Sequence, residues 1–189
     1  MRKVISFMHV SLDSFTTGPN GELEWAIVNE ELYSYIDGLF RTVDTALYGR
    51  VTYHGMESYW PTVLTDPNAS PHDLKHARWV ENVSKIVFSR TLEKVEWKNT
   101  RLVKDHIAEE ISKLKREPGG DMMIFGSPSL THTFMHLGLI DEYRLFLNPI
   151  VLGGGIPLFK SIKYSMPLKL VEAKVFHSGV VDLHYQAIK

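Results

Sequence analysis

The chain has 189 residues, 44% of them hydrophobic and 23% charged, the balance of a globular protein with one sizeable core, and a single domain over residues 1–189 is expected. Its 21 basic and 22 acidic residues leave a formal net charge of -1, so no overall field favours nucleic acid or an anionic membrane. With no cysteine, disulfides, thiolate nucleophiles and Cys-ligated zinc are excluded, and the composition fits a cytoplasmic protein.

Lys3 to Val10 is apolar and β-branched and reads as a buried first strand, its run broken by His9, Ser11 and Asp13 before it resembles a signal peptide. Residues 11–21 read as a loop with an Asn20-Gly21 turn. Asn29 is a cap candidate for a helix from Glu30 to about Arg41, with acids in its first turn and an apolar stripe of Leu32, Tyr35, Ile36, Leu39 and Phe40. Asp44 to Tyr48 is a short strand. A turn at Gly49 leads into a helix to about Tyr59, where Trp60-Pro61 is expected to end it. After a polar loop over 62–71 come a helix to about Val80, a strand at Lys85–Phe88 and another at Thr100–Val103. Ile107, Ile111 and Leu114 mark a helix over about 105–116, stopped by Pro118-Gly119-Gly120. Asp121–Phe125 is a strand, 127–137 a helix and Glu142–Val151 a long strand. Beyond Gly153-Gly154-Gly155, Leu168–His177 and Val180–Ile188 form an antiparallel pair joined at Ser178-Gly179. The alternation predicts an α/β/α sandwich: a mostly parallel mixed sheet covered by helices, with the hairpin at one edge. No stretch approaches the length of a membrane span.

Chemistry concentrates where strands empty into helices, because ligands in such sheets sit at the carboxyl ends of strands. Phe125-Gly126-Ser127-Pro128-Ser129 joins strand to helix through small residues, a turn that points backbone N–H groups at an anion such as a nucleotide phosphate. Gly49-Arg50-Val51-Thr52 does the same, with a permanent cation and a hydroxyl added. Phe88-Ser89-Arg90-Thr91 follows a neighbouring strand. Two arginines converging on one phosphate, beside a pyrophosphate turn, describe NADPH better than NADH or ATP. No P-loop, Rossmann glycine pattern or Gly-x-Ser-x-Gly elbow occurs. His72 with His76, and His132 with His136, share helical spacing, but no third ligand accompanies either pair and no metal is expected.

In the order Ser11-Leu12-Asp13, Tyr48-Gly49-Arg50-Val51-Thr52-Tyr53, Phe88-Ser89-Arg90-Thr91, Phe125-Gly126-Ser127 and Pro149 through Phe159, the chain resembles the dihydrofolate reductase superfamily. It is most similar there to the reductase domain of bacterial riboflavin biosynthesis and its stand-alone relatives. The resemblance covers nearly the whole chain. It implies NADPH along the strand ends, with Gly49, Arg50 and Thr52 on the adenine-side phosphates and Ser89 and Arg90 flanking the 2′-phosphate. Gly126, Ser127 and Ser129 would receive the pyrophosphate. The 11–21 loop would close over the nicotinamide. Trp25, Gly153 and Gly154 would border the pocket of a small heterocyclic substrate, a ribosylaminopyrimidine or a dihydropterin. Glu30 and Glu31, near the place of the family's acidic residue, are candidates to relay a proton, or they only complement the helix dipole. Asp13 is the other catalytic candidate, or it closes its own loop as an Asx turn. Two departures stand out. Ser14 and Ser127 occupy positions where many relatives carry glycine. A nucleotide-binding protein without turnover shares most of these features. The apolar alternation of Val171, Ala173 and Val175 calls for a cover and predicts a homodimer.

Overall fold

A computed structural model describes residues 1–160 and 162–188. Two compact units emerge, one of residues 1–2 and 30–123, the other of residues 3–29 and 124–189. The boundary falls within a strand at Asp121–Phe125 (β6).

The first unit contains α1 (Glu30–Leu39), a 3-10 turn at Phe40–Thr42, β3 (Val43–Gly49), α2 (Arg50–Val63), α3 (Pro71–Asn82), β4 (Ser84–Phe88), β5 (Thr100–Val103) and α4 (Ile107–Arg116). β3, β4 and β5 are parallel, with Gly49 opposite Phe88 and Phe88 opposite Val103. Leu47, Val87 and Leu32 are wholly buried, as the apolar periodicity requires. Ser70 caps α3 by accepting the Asp73 N–H at 3.1 Å and donating its hydroxyl to the Asp73 carboxylate at 2.7 Å. His72 and His76 do share a helical face, and it is an aromatic one. His72 stacks on Tyr33 at 5.6 Å, and His76 lies 4.3 Å from the Trp60 ring centre and 5.4 Å from that of Phe40. Burial pushes the His76 pKa down to about 4. Arg2 anchors the entry to β6: its Nε donates to Gly120 O at 2.6 Å, its guanidinium pairs with Asp44, and Asp44 accepts the Gly120 N–H at 2.6 Å.

The second unit contains β1 (Val4–Val10), β2 (Phe15–Thr17), α5 (Pro128–His136), β7 (Glu142–Leu147), β8 (Ile156–Pro157), β9 (Leu168–Val175) and β10 (Val181–Ala187). β1 and β7 are parallel; β10 is antiparallel to both β7 and β9. β2 and β8 form a separate antiparallel pair, and the other eight strands follow the order β5-β4-β3-β6-β1-β7-β10-β9. The mostly parallel mixed sheet with an antiparallel edge is therefore the architecture, as the alternation predicts.

Three elements differ from expectation. α2 continues through Trp60-Pro61 to Val63. Proline removes one N–H donor, a small loss in a last turn where the Thr62 hydroxyl donates to Tyr59 O at 2.7 Å. The strand from Glu142 stops at Leu147 rather than Val151, because Pro149 has no N–H for a ladder. The 11–21 loop contains a strand, β2, too short to show a period.

Candidate functional site

In the first unit the parallel register decides the site. Gly49 lies opposite Phe88, so Arg50 and Ser89-Arg90 leave neighbouring strand ends on the same carboxyl rim. Gly49 is the N-cap of the 14-residue α2, with φ -82° and ψ 166°. Arg50, Val51 and Thr52 form the helix's first turn, where main-chain N–H groups and the helix dipole favour negative charge and no acidic side chain competes. Arg50 and Arg90 are exposed, and neither has a hydrogen-bond or ion-pair partner among the described residues. The Ser89 hydroxyl is turned inward to its own loop: it accepts the N–H groups of Thr91 at 3.2 Å and Leu92 at 3.1 Å. Tyr53, one residue after Thr52, holds the end of that loop by accepting the N–H groups of Glu96 and Trp97, each at 3.2 Å. Glu30 and Glu31 occupy the first turn of α1, where they complement its dipole.

The second unit's rim is knitted by hydrogen bonds. The Gly126 N–H donates to Phe7 O at 3.1 Å, setting the turn beside β1. Gly126 and Ser127 have φ of 54° and 47°, two successive left-handed residues before Pro128 opens the nine-residue α5. A side chain added at Gly126 would meet nothing within 4 Å, so a ligand can approach the main chain there. Ser127 is buried and Ser129 exposed. Ser14 also has positive φ, 66°. Ser14 and Ser127 thus both hold the left-handed conformation, which a serine occupies at a cost of about 1 kcal/mol or more.

Asp13 binds the glycine loop. Its carboxylate accepts the N–H of Leu152 at 3.1 Å and of Gly153 at 2.8 Å, together with the Ser11 hydroxyl at 2.6 Å. The Ser11 hydroxyl and these amides lower its pKa to about 2. Such a carboxylate accepts and orients, and it carries no proton to give at neutral pH. Gly155, at φ 131°, passes so close to Thr17 O that a side chain there would overlap it. This close approach allows β2 to pair with β8, supported by Leu158 N–H to Ser14 O at 2.8 Å. Gly154 lies against Pro19. Trp25 is half-buried, its indole N–H bonded to Glu22 O at 2.9 Å. His132 bonds through Nε2 to the carbonyls of Pro157 and Leu158, at 3.0 and 2.9 Å, and so braces β8.

Asn148 was missed by the sequence reading. Wholly buried, it accepts the Ile27 N–H through Oδ1 at 2.8 Å and donates through Nδ2 to Phe146 O at 2.8 Å. It thereby moors the loop carrying Trp25 to the end of β7. The Asn148-Pro149 dipeptide, a turn initiator, was the available signal. No cluster of His, Asp or Glu able to hold a metal occurs among the described residues.

This α/β sheet with glycine-marked strand ends is a dihydrofolate reductase-like fold. A solved dihydrofolate reductase from Enterococcus faecalis, in complex with NADP(H), shares it at a TM-score of 0.64 and 15% identity, over 99% of this chain and 97% of that one. A protein of Shewanella sp. PV-4 assigned to riboflavin biosynthesis shares it at a TM-score of 0.76 and 23% identity, over 99% of both chains. Residues 2–181 match the RibD C-terminal domain, and the chain belongs to that family. It is 39% identical over 186 residues to the uncharacterized protein YyaP of Bacillus subtilis (strain 168), covering 97% of this chain and 94% of that one.

Proposed function

We propose that the protein is an NADPH-dependent reductase of a small heterocyclic substrate, with a 5-amino-6-(5-phosphoribosylamino)uracil-type pyrimidine first and a dihydropterin second. The observation that supports the cofactor is the pair of guanidiniums, Arg50 and Arg90, at adjacent parallel strand ends and without a partner among the described residues. A fork of donors without a carboxylate suits a dianionic phosphate, and the 2′-phosphate is what separates NADPH from NADH. Gly49 and Thr52 would complete that contact from the start of α2. In the second unit, Gly126, Ser127 and Ser129 would receive the pyrophosphate, and the Asp13-braced glycine loop with Trp25, Gly153 and Gly154 would border the reacting ring. The cofactor supplies the hydride when bound. The chain's own residues position the reactants and exclude water.

Asp13 serves in this reading as a fixed acceptor that holds the glycine loop. Glu31, half-buried at the start of α1, is the remaining acid nearest the family's position, with Glu30 more exposed beside it. The ionised state of Asp13 also favours a second reading, a nucleotide-binding protein without turnover. Stopped-flow oxidation of NADPH against the pyrimidine and dihydrofolate separates the two. Substrate-dependent loss of absorbance supports the reductase. Tight NADPH binding with no turnover over a broad panel supports the nucleotide-binding protein.

We further propose a homodimer in the cytoplasm. β9 is the last strand in the sheet order, and Leu170, Val171 and Val175 on it are 51%, 52% and 71% exposed. These exposed apolar side chains on an eight-residue edge strand invite a second copy. No helix among the described residues is long and apolar enough to cross a membrane. Light scattering at micromolar concentration tests the dimer, and a monomer mass removes it.

A further inference from the structure

His9 has no part in the roles given so far, yet it stands on β1 one residue from the strand's carboxyl end. Its ring stacks on Phe146, centroids 5.3 Å apart at 28°, and meets Phe7 edge-on at 5.9 Å. Asn148 decides its tautomer. The Asn148 amide is oriented by two contacts: Oδ1 takes the Ile27 N–H and Nδ2 donates to Phe146 O. Exchanging oxygen and nitrogen would lose both. The same Nδ2 carries a second N–H, which faces His9 Nδ1 at 3.4 Å and Val10 O at 3.5 Å. An amide nitrogen only donates, so Nδ1 accepts and the ring proton sits on Nε2. Burial between aromatic rings lowers the His9 pKa to about 4, so the ring stays neutral under ordinary conditions. The Nε2–H has no acceptor among the described residues, and it is not among the buried polar atoms sealed without a partner. A tautomer fixed on one side, with an unused donor on the other, is a pre-oriented recognition group.

We infer that His9 Nε2–H is a specificity-determining hydrogen-bond donor that reads a carbonyl oxygen or unprotonated ring nitrogen on an uncharged, flat heterocycle. Three features of the surroundings support that class of ligand. A neutral imidazole between phenyl rings offers no charge to compensate a buried anion. The donor is held by Phe146 and Asn148, so little side-chain freedom is lost on binding. Asn148 also moors Ile27, two residues from Trp25, so the donor and the loop expected to border the substrate share one anchor. The inference deepens the reductase reading and rests on it for the second reactant, but the donor itself does not depend on NADPH.

The test uses the full chain with 5-amino-6-(5-phosphoribosylamino)uracil and dihydrofolate as probes. Imidazole 15N spectra of the wild-type chain are recorded without NADPH, before and after each probe. The free protein is expected to show a neutral His9 protonated at Nε2 from pH 5 to 8, and one probe should shift Nε2 while Nδ1 stays nearly fixed. A proton on Nδ1, or no Nε2 shift with either probe, overturns the inference. His9→Phe keeps the aromatic stack and removes the donor. It should weaken the responding probe roughly tenfold, the scale of one hydrogen bond, and leave NADPH affinity within about twofold. His9→Gln should recover part of the loss. Unchanged probe affinity in His9→Phe also overturns it. If the wild type shows the Nε2 shift but binds no NADPH, the reductase reading fails and the His9 assignment stands.

Discussion

The two strand-end rims solve opposite problems. In the first unit, Arg50 and Arg90 are exposed and have no partner among the described residues, and the helix start between β3 and α2 carries no competing acid. In the second, three side chains are committed to the main chain: Asp13 to Leu152 and Gly153, Asn148 to Ile27 and Phe146, His132 to Pro157 and Leu158. Unspent cations suit a mobile, charged ligand group whose hydration they can replace. A committed network instead fixes loop geometry, which the proposed hydride transfer would need because reacting atoms must meet within about 3–3.5 Å. The first rim thus offers charge, and the second a loop geometry fixed by main-chain hydrogen bonds.

The sharpest way to break that contrast is at Gly155. Its φ of 131° and its approach to Thr17 O leave no place for a methyl group. Gly155→Ala should destabilise the fold by about 2–3 kcal/mol and unpair β2 from β8, read by thermal unfolding and by amide exchange at Thr17. An unchanged midpoint would show that the glycine loop is not a fixed part of the second rim. Removing charge from the first rim should spare stability and cost affinity. Arg50→Ala is expected to weaken NADPH by about 1.5–3 kcal/mol in fluorescence titrations, with NADH changed less. Equal losses for both nucleotides would count against an arginine on the 2′-phosphate.

Smaller effects sharpen the picture. Ser14 is exposed at φ 66°, so Ser14→Gly should relieve left-handed strain and stabilise the protein by about 1 kcal/mol in chemical denaturation. A loss of stability would mean the serine hydroxyl has a structural role. The least change concerns Asp13. Its folded pKa, about 2, lies below the ordinary 3.8. Its contribution is therefore complete above the ordinary value and fades as pH falls through about 2. Asp13→Asn should flatten the acid limb of the stability curve in that window. If wild type and variant have parallel acid limbs, the carboxylate does not brace the glycine loop.

Much of this was legible before any coordinates. Asp121–Phe125 and Thr100–Val103 fall where composition puts them, because short apolar runs between turn residues have little alternative to a strand. Gly49-Arg50 and Gly126-Ser127 were visible as strand-to-helix turns for the same local reason. Pro61 misled, since a proline in a helix's last turn removes a donor that matters little there. β2 and β8 escaped because three and two residues show no period, and only their mutual pairing makes them strands. The histidines at 72 and 76 invite a ligand reading by spacing alone, whereas their neighbours Tyr33, Trp60 and Phe40 come from other elements.

The division follows the range of the forces. Local chemistry, in the periodicity of apolar residues, the conformational freedom of glycine and the fixed charge of arginine, sets the elements, the turns and the class of ligand proposed, all from neighbours within a few positions. Tertiary structure alone decided that Gly49 stands opposite Phe88, that Asp13 is bonded to amides 139 and 140 residues away, and that Asn148 faces the His9 ring nitrogen. Those contacts depend on strand register and chain reversal, which no short stretch of residues encodes by itself.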